Sequence, residues 1–234
     1  MGSTRLLGKA LIDIEGMSML ARVIDRARRA TLIQRVVIAT TVKPQDDAIV
    51  EQARALEVDV YRGDEDDVLD RYYQAARAYP CDVVVRITSD CPLLDPGIAD
   101  AVVQPLLEPG SGIDYRANTL ERTYPRGLDV EAVPFTTLER VWREARSVHE
   151  RAHVFPHVYE HPEKFVLSGI TDPIDRSYMR WTVDTTEDLQ FVRAIYAALG
   201  TRQFTWLDVL RVIDANPGLL DINAQVKQKS AHDR

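Results

Sequence analysis

Arg5 and Lys9 stand four residues apart in the opening stretch MGSTRLLGK, among Gly2, Ser3, Thr4 and Gly8. Small residues let backbone N–H groups close on anionic oxygens, and two cations at this spacing can neutralise a polyphosphate. The same residues also make an ordinary solvated N-terminus, and taken alone they do not separate the two. Asp90, in ITSDCPLLDP, follows the apolar run VVVRI, and Asp184, in RWTVDTTED, follows another. Open α/β sheets bind ligands at the carboxyl ends of their strands. Two carboxylates meeting there can share Mg²⁺, a hard cation that prefers oxygen ligands and retains waters. Each aspartate also has a plainer role. Asp90 can be a turn or cap residue, and Asp184 or Thr185 can cap a helix whose first turn carries Glu187 and Asp188.

His149, His153, His157 and His161 recur every four residues, as metal ligands on one helix face would. Pro156 and Pro162 interrupt any long helix there, and no carboxylate partner is obvious, so the stripe is not taken as a zinc site.

The elements that must carry these groups follow from patterning. RVVIATT (35–41), VDVYRG (58–63) and CDVVVRITSD (81–90) are short apolar runs suited to strands of a parallel sheet covered on both faces. Helical spacing alternates with them: Leu20, Val23, Ile24 and Ala27 share a face, as do Ile49, Ala53 and Leu56, then Leu69, Tyr72, Tyr73 and Ala76. After Asp90 the regularity breaks. A helix is expected near 97–107, a half-exposed strand over LDVEAVP (128–134), and a helix over 136–145 capped by Thr136 or Thr137. A proline-broken helix is expected at RAHVFPHVYEHPEKF, and a strand at MRWTVDT. A long helix follows at TEDLQFVRAIYAAL, and a last one opens with a Thr205–Asp208 capping box. Residues 1–225 are expected to form one domain with an insertion at about 113–180, and 226–234 a frayed tail.

Bulk properties narrow the partners. A net charge of −7 argues against general nucleic-acid binding. Cys81 and Cys91 form neither a disulfide framework nor a zinc pattern. No apolar run reaches membrane-spanning length and no signal peptide is evident, so the cytoplasm is the expected location and no membrane partner is expected.

Five blocks in order, MGSTRLLGKALIDIEGMSML, YRGDEDDVLDRYYQAA, VVRITSDCPLLDP, NTLERTYPRGLDVEA and RWTVDTTEDLQFVRAIY, resemble the cytidylyltransferase family typified by spore coat polysaccharide biosynthesis protein F. That family is related to the acylneuraminate and 3-deoxy-manno-octulosonate cytidylyltransferases. The resemblance implies an α/β, three-layer nucleotide-diphospho-sugar transferase (Rossmann-like) fold with a mixed sheet. It also implies transfer of CMP from CTP to a sugar or sugar acid for cell-surface polysaccharide biosynthesis. By resemblance, Gly2, Ser3, Arg5 and Lys9 hold the triphosphate, Asp90 and Asp184 hold Mg²⁺, and Gly63 and Arg71 lie by the nucleoside. Arg126, Asp129 and His153 line the sugar site, with Arg126 meeting an acidic or polar group, and Arg5, Lys9 and Asp90 are the catalytic set. A homodimer is usual among relatives, and the TLERTYPRG segment can supply its contact.

The sequence departs from the family in three places. Leu7 stands where proline is usual, and Ala152 where glutamate is common. The apolar strand ending in Gln-Ala-Arg that precedes the loop has no counterpart in these residues, so the first strand is expected to be missing, through a start at an internal Met. A glycosyltransferase of similar fold is the alternative, although Asp90 and Asp95 are too far apart for its Asp-x-Asp. A non-catalytic nucleotide-binding relative is the third possibility.

Overall fold

Alternating apolar runs become alternating strands and helices. The computed structural model describes Leu6, residues 8–200 and residues 202–228. A short hairpin, β1 (Asp13–Ile14) and β2 (Met17–Ser18), leads into α1 (Met19–Arg28), whose N-cap Ser18 accepts a bond from the Ala21 amide. Then come β3 (Val37–Thr41), α2 (Asp47–Ala55), β4 (Asp59–Gly63), α3 (Val68–Ala78), β5 (Val83–Arg86) and α4 (Pro96–Val103). The second half holds β6 (Tyr115–Ala117), β7 (Glu131–Pro134), α5 (Phe135–Glu144), α6 (Val148–His153), α7 (Pro156–Tyr159), β8 (Leu167–Gly169), α8 (Thr186–Leu199) and α9 (Trp206–Ala215). No helix among the described residues is long and apolar enough to cross a membrane.

β3 and β4 pair in parallel, as the βαβ pattern requires. The third apolar run behaves differently. β5 pairs antiparallel with β7 in a mixed sheet of order β5-β7-β6-β8, in which β6 and β8 are parallel. Among the described residues no strand joins β3 to β5. Val37, Ile38 and Ala39 of β3, and Val83 and Val85 of β5, remain half-buried.

Side chains of the mixed sheet alternate between two cores, which makes three layers. Ala132 of β7 faces the larger core with α1, α4, α8 and α9, around the fully buried Trp181. Its neighbour Val133, with Val84 and Tyr115, faces the core under α3, α5 and the Phe155 turn.

Two local expectations need correction. MRWTVDT forms no strand beyond a single bridge between Arg180 and Arg126. Its backbone groups go to different partners: the Met179 carbonyl to the Arg126 amide, the Trp181 amide to the Arg126 carbonyl, and the Val183 amide to the Asp90 carbonyl. α5 starts at Phe135, with Pro134 at the N-cap and no side-chain cap, so Thr136 and Thr137 lie within its first turn, where Thr137 donates to Asp114 at 3.3 Å. At the start of the tail expected beyond residue 225, Gln228 accepts from Arg180. The Thr205–Asp208 capping box forms as expected.

Candidate active site

Gly8 takes φ +64, a left-handed conformation that glycine adopts without strain, and turns the chain into a 3-10 turn at Lys9–Leu11. The turn sends Lys9 Nζ between two carboxylates. It donates to Asp90 Oδ2 at 2.9 Å, to Asp184 Oδ1 at 2.8 Å and to the Val183 carbonyl at 3.1 Å. Burial pushes the Lys9 ammonium down, but Asp90 and Asp184 outweigh it and the net shift is upward.

Backbone bonds bring the two aspartates together. Asp90 sits in the turn after β5, and its carbonyl accepts from the Val183 amide at 2.8 Å and the Thr182 hydroxyl at 3.1 Å. Asp184 Oδ2 accepts from Arg180 Nη2 at 2.7 Å. Arg180 also grips Asp188, at 2.8 Å through Nε and 3.1 Å through Nη2. The fully buried Asp188 takes the amides of Asp184 and Thr185, both at 3.0 Å. Thr185 and Asp188 thus do the capping of α8, and Asp184 is left facing Lys9.

The donor set fits a hard divalent cation. It is anionic and all oxygen, and an ammonium already stands between the two carboxylates, so the position favours positive charge.

Beside the 88–91 turn lies a cavity of about 420 Å³, lined among others by Arg86, Tyr115, Arg122, Asp129, Glu131 and Tyr159. Arg86 on β5 stands opposite Glu131 on β7 and pairs with it. Burial opposes the Arg86 charge, but Glu131 outweighs it and raises the guanidinium pKa. Tyr115 donates to Glu131 Oε1 at 2.7 Å. Burial, then Glu131, pushes the Tyr115 phenol well up, and the Tyr159 phenol up to about 12. Arg122 holds Asp129 through two bonds, at 2.6 and 2.8 Å.

The expected site residues divide. Lys9, Asp90 and Asp184 meet, and Asp129 lines the cavity. Gly2, Ser3 and Arg5 lie outside the described residues. Arg126 is half-buried and makes no ion pair among the described residues, and burial, with Arg122, draws its pKa down. Gly63 and Arg71 lie together, a Cβ at Gly63 falling 3.1 Å from Arg71 Cγ. Arg71 is engaged with the turn that follows, donating to the Asp64 carbonyl at 2.5 Å. His153 is not among the cavity's lining residues; it ends α6 with its ring 5.1 Å from His149.

Sequence reasoning missed Arg86, Arg122, Glu131 and Arg180. A signal existed for one pair: Arg86 interrupts the run VVVRI and Glu131 the run VEAV, and a charge within a buried strand requires a partner.

Comparisons with known proteins identify the family and the fold. A family model described as cytidylyltransferase matches residues 1–208. An uncharacterized protein of Methanocaldococcus jannaschii is 34% identical, over 98% of this chain and 93% of its own. The spore coat polysaccharide biosynthesis protein SpsF of Bacillus subtilis is 29% identical, over 93% of this chain and 92% of its own. A solved cytidylyltransferase from Leptospira borgpetersenii superposes with a TM-score of 0.91 at 33% identity, covering 98% of this chain and 95% of that one. The CMP:2-keto-3-deoxy-manno-octonic acid synthetase complexed with CTP shares the fold, with a TM-score of 0.61 at 19% identity over 85% of this chain and 95% of that one.

Proposed function

The chain belongs to the cytidylyltransferase family, and we propose that it transfers CMP from CTP to a sugar or sugar acid, with release of pyrophosphate. The observation that carries this proposal is the meeting of Lys9, Asp90 and Asp184, three charged groups from distant parts of the chain. Such a cluster suits nucleotidyl transfer, where positioning and charge neutralisation supply most of the rate.

In the proposed reaction a sugar hydroxyl attacks the α-phosphorus of CTP in line. The new oxygen–phosphorus bond forms as the bond to the β-phosphate oxygen breaks. Lys9 exchanges its carboxylate partners for phosphate oxygens as CTP binds, and so neutralises the departing pyrophosphate. Asp90 and Asp184 are the groups that would hold Mg²⁺, which supplies Lewis-acid neutralisation of phosphate charge when bound. Arg180 keeps the Asp184 carboxylate oriented. The cavity by Thr88 takes the sugar, with Asp129 fixed by Arg122 as an acceptor for hydroxyls and Arg126 available to an acidic group.

Incubation with CTP, Mg²⁺ and inorganic pyrophosphatase, across a panel of sugars and sugar acids, tests the proposal. Phosphate release that requires both CTP and one class of sugar is expected, and Asp90→Asn should abolish it. Turnover of a preformed nucleotide-sugar with no use of CTP would instead identify a glycosyltransferase.

A further inference from the structure

The histidine stripe does acquire a carboxylate partner once the chain folds. Among the described residues, one group of three has ligand atoms close enough to hold a metal: Glu150, His157 and His161, all within 4.8 Å of one another. Glu150 is on α6 and His157 on α7, on either side of a break at Val154, whose φ is +77. That break folds α7 back, so residues separated by an interrupted helix converge.

Each of the three side chains is fixed by further contacts. Glu150 Oε2 accepts three bonds, from the Ser147 amide and hydroxyl at 2.8 Å each and from the Arg146 amide at 3.0 Å. Its other oxygen, Oε1, lies 2.5 Å from His157 Nδ1. The remaining nitrogen of His157, Nε2, is 3.3 Å from Glu144 Oε2, an imidazole–carboxylate contact of the kind that orients metal-bound histidines. His161 Nδ1 lies 3.0 Å from the His157 carbonyl. That contact makes Nδ1 the donor and leaves the lone pair on Nε2.

The geometry points to a zinc-class metal site, with Glu150, His157 and His161 as ligands and water completing the shell. Two imidazoles and one carboxylate form a donor set for a borderline transition metal, not for Mg²⁺. Bonds of about 2.0–2.2 Å in a tetrahedral shell need ligand atoms roughly 3.3–3.6 Å apart. Side-chain rotation would widen the 2.5 Å contact and close the longer separations as the ion came between the ligands. The ion would clip α6 to α7 across the break. Tyr159, the last residue of α7, lines the 420 Å³ cavity, so the clip would hold one wall of that cavity. The site is separate from the Asp90–Asp184 pair and does not depend on the activity proposed above.

The test uses the full chain, free of affinity tags and stripped with chelator, in excess Mg²⁺ to occupy the aspartate pair. Zn²⁺ is titrated by calorimetry, and Co²⁺ by its visible d–d absorption. Wild type should bind one equivalent of each, and Asp90→Asn and His149→Ala should bind as wild type does. His161→Ala should weaken binding at least 100-fold. His157→Ala should do the same, with circular dichroism confirming that each variant is folded. His149 serves as a control because it faces Glu160, at 3.1 Å, and not this cluster. No binding by wild type below about 0.1 mM, unchanged binding in folded His161→Ala, or loss of binding in Asp90→Asn would each overturn the assignment.

Discussion

Replacing Lys9 with methionine keeps most of the stem and removes the ammonium. In the folded protein that ammonium lies 2.9 Å from one Asp90 oxygen and 2.8 Å from one Asp184 oxygen. The two oxygens therefore cannot lie farther apart than the sum of those contacts. Without the lysine, two negative charges about 5 Å apart repel by about 3 kcal/mol at an effective dielectric constant near 20. The side chains are only 24% and 13% exposed, so solvent screens this repulsion incompletely.

The repulsion acts in opposite directions on two measurable quantities. It lowers folding stability, by about 1–3 kcal/mol for a partly buried pair. It also raises the affinity of the nucleotide-free protein for Mg²⁺, because a divalent cation no longer competes with an internal ammonium. Recovering even half of the 3 kcal/mol makes Mg²⁺ bind about tenfold more tightly. CTP should bind more weakly while CMP, which lacks the distal phosphates, changes little. Calorimetric titrations with Mg²⁺ alone, then with CTP and CMP at saturating Mg²⁺, read all three effects. Unchanged Mg²⁺ affinity in Lys9→Met would refute competition between Lys9 and the cation. Equal losses for CTP and CMP would remove Lys9 from the distal phosphates.

Asp90→Asn should leave the melting temperature within a few degrees of wild type and lower turnover by about 10²-fold or more, measured as pyrophosphate release. Gly127→Ala should destabilise by about 3 kcal/mol or more in urea unfolding, because φ is +104 and the new Cβ would sit 2.6 Å from the Thr182 nitrogen and the Trp181 carbonyl carbon. Asp46 is held at a pKa of about 2: burial pushes its carboxyl up, but hydrogen bonds including those from Thr40 and Thr41 outweigh that. Its folded pKa lies below the unfolded value of 3.8, so its contribution is present above pH 3.8 and fades as pH falls towards 2. Asp46→Asn should accordingly lower stability at pH 7. In urea unfolding across pH, its gap to wild type should narrow below about pH 4.

The parts of the fold visible in the sequence are those fixed by local pattern. The β3–β4 pair and the long α8 follow from apolar spacing, and the capping of α8 follows from Thr185 and Asp188. Strand direction is not a local property. VVVR reads the same whether its neighbour is parallel or antiparallel, and only folding of the 113–180 segment supplies β7 as an antiparallel partner. MRWTVDT has the apolarity of a strand, yet the close approach of the Gly127 turn spends its backbone groups on loop contacts. The aspartates were legible because each follows an apolar run. The Arg86–Glu131 and Arg122–Asp129 pairs were not, since pairing depends on register and loop path. Glu150 escaped for a related reason: its partnership with His157 exists only because the chain reverses at Val154.

A chain of net charge −7 that is to take up a polyanion poses a problem that the site's pairing resolves. Among the charges described at the centre, each anion already has a cation. Lys9 serves Asp90 and Asp184, Arg180 serves Asp184 and Asp188, Arg122 serves Asp129, and Arg86 serves Glu131. Binding of a metal–nucleotide then becomes an exchange of partners and not the burial of new unpaired charge. In the proposed reaction the Lys9 ammonium would gain phosphate oxygens as the two carboxylates gained a metal, so that each group would be satisfied before and after. Arg180–Asp188 and Arg86–Glu131 do not exchange; Arg180–Asp188 is more deeply buried than either Lys9 pair, and it fixes the frame in which the exchange occurs. Arg126 departs from this pattern among the described residues, half-buried and with no ion pair. In the proposed reaction an acidic acceptor would meet its guanidinium without first displacing an ion-paired carboxylate.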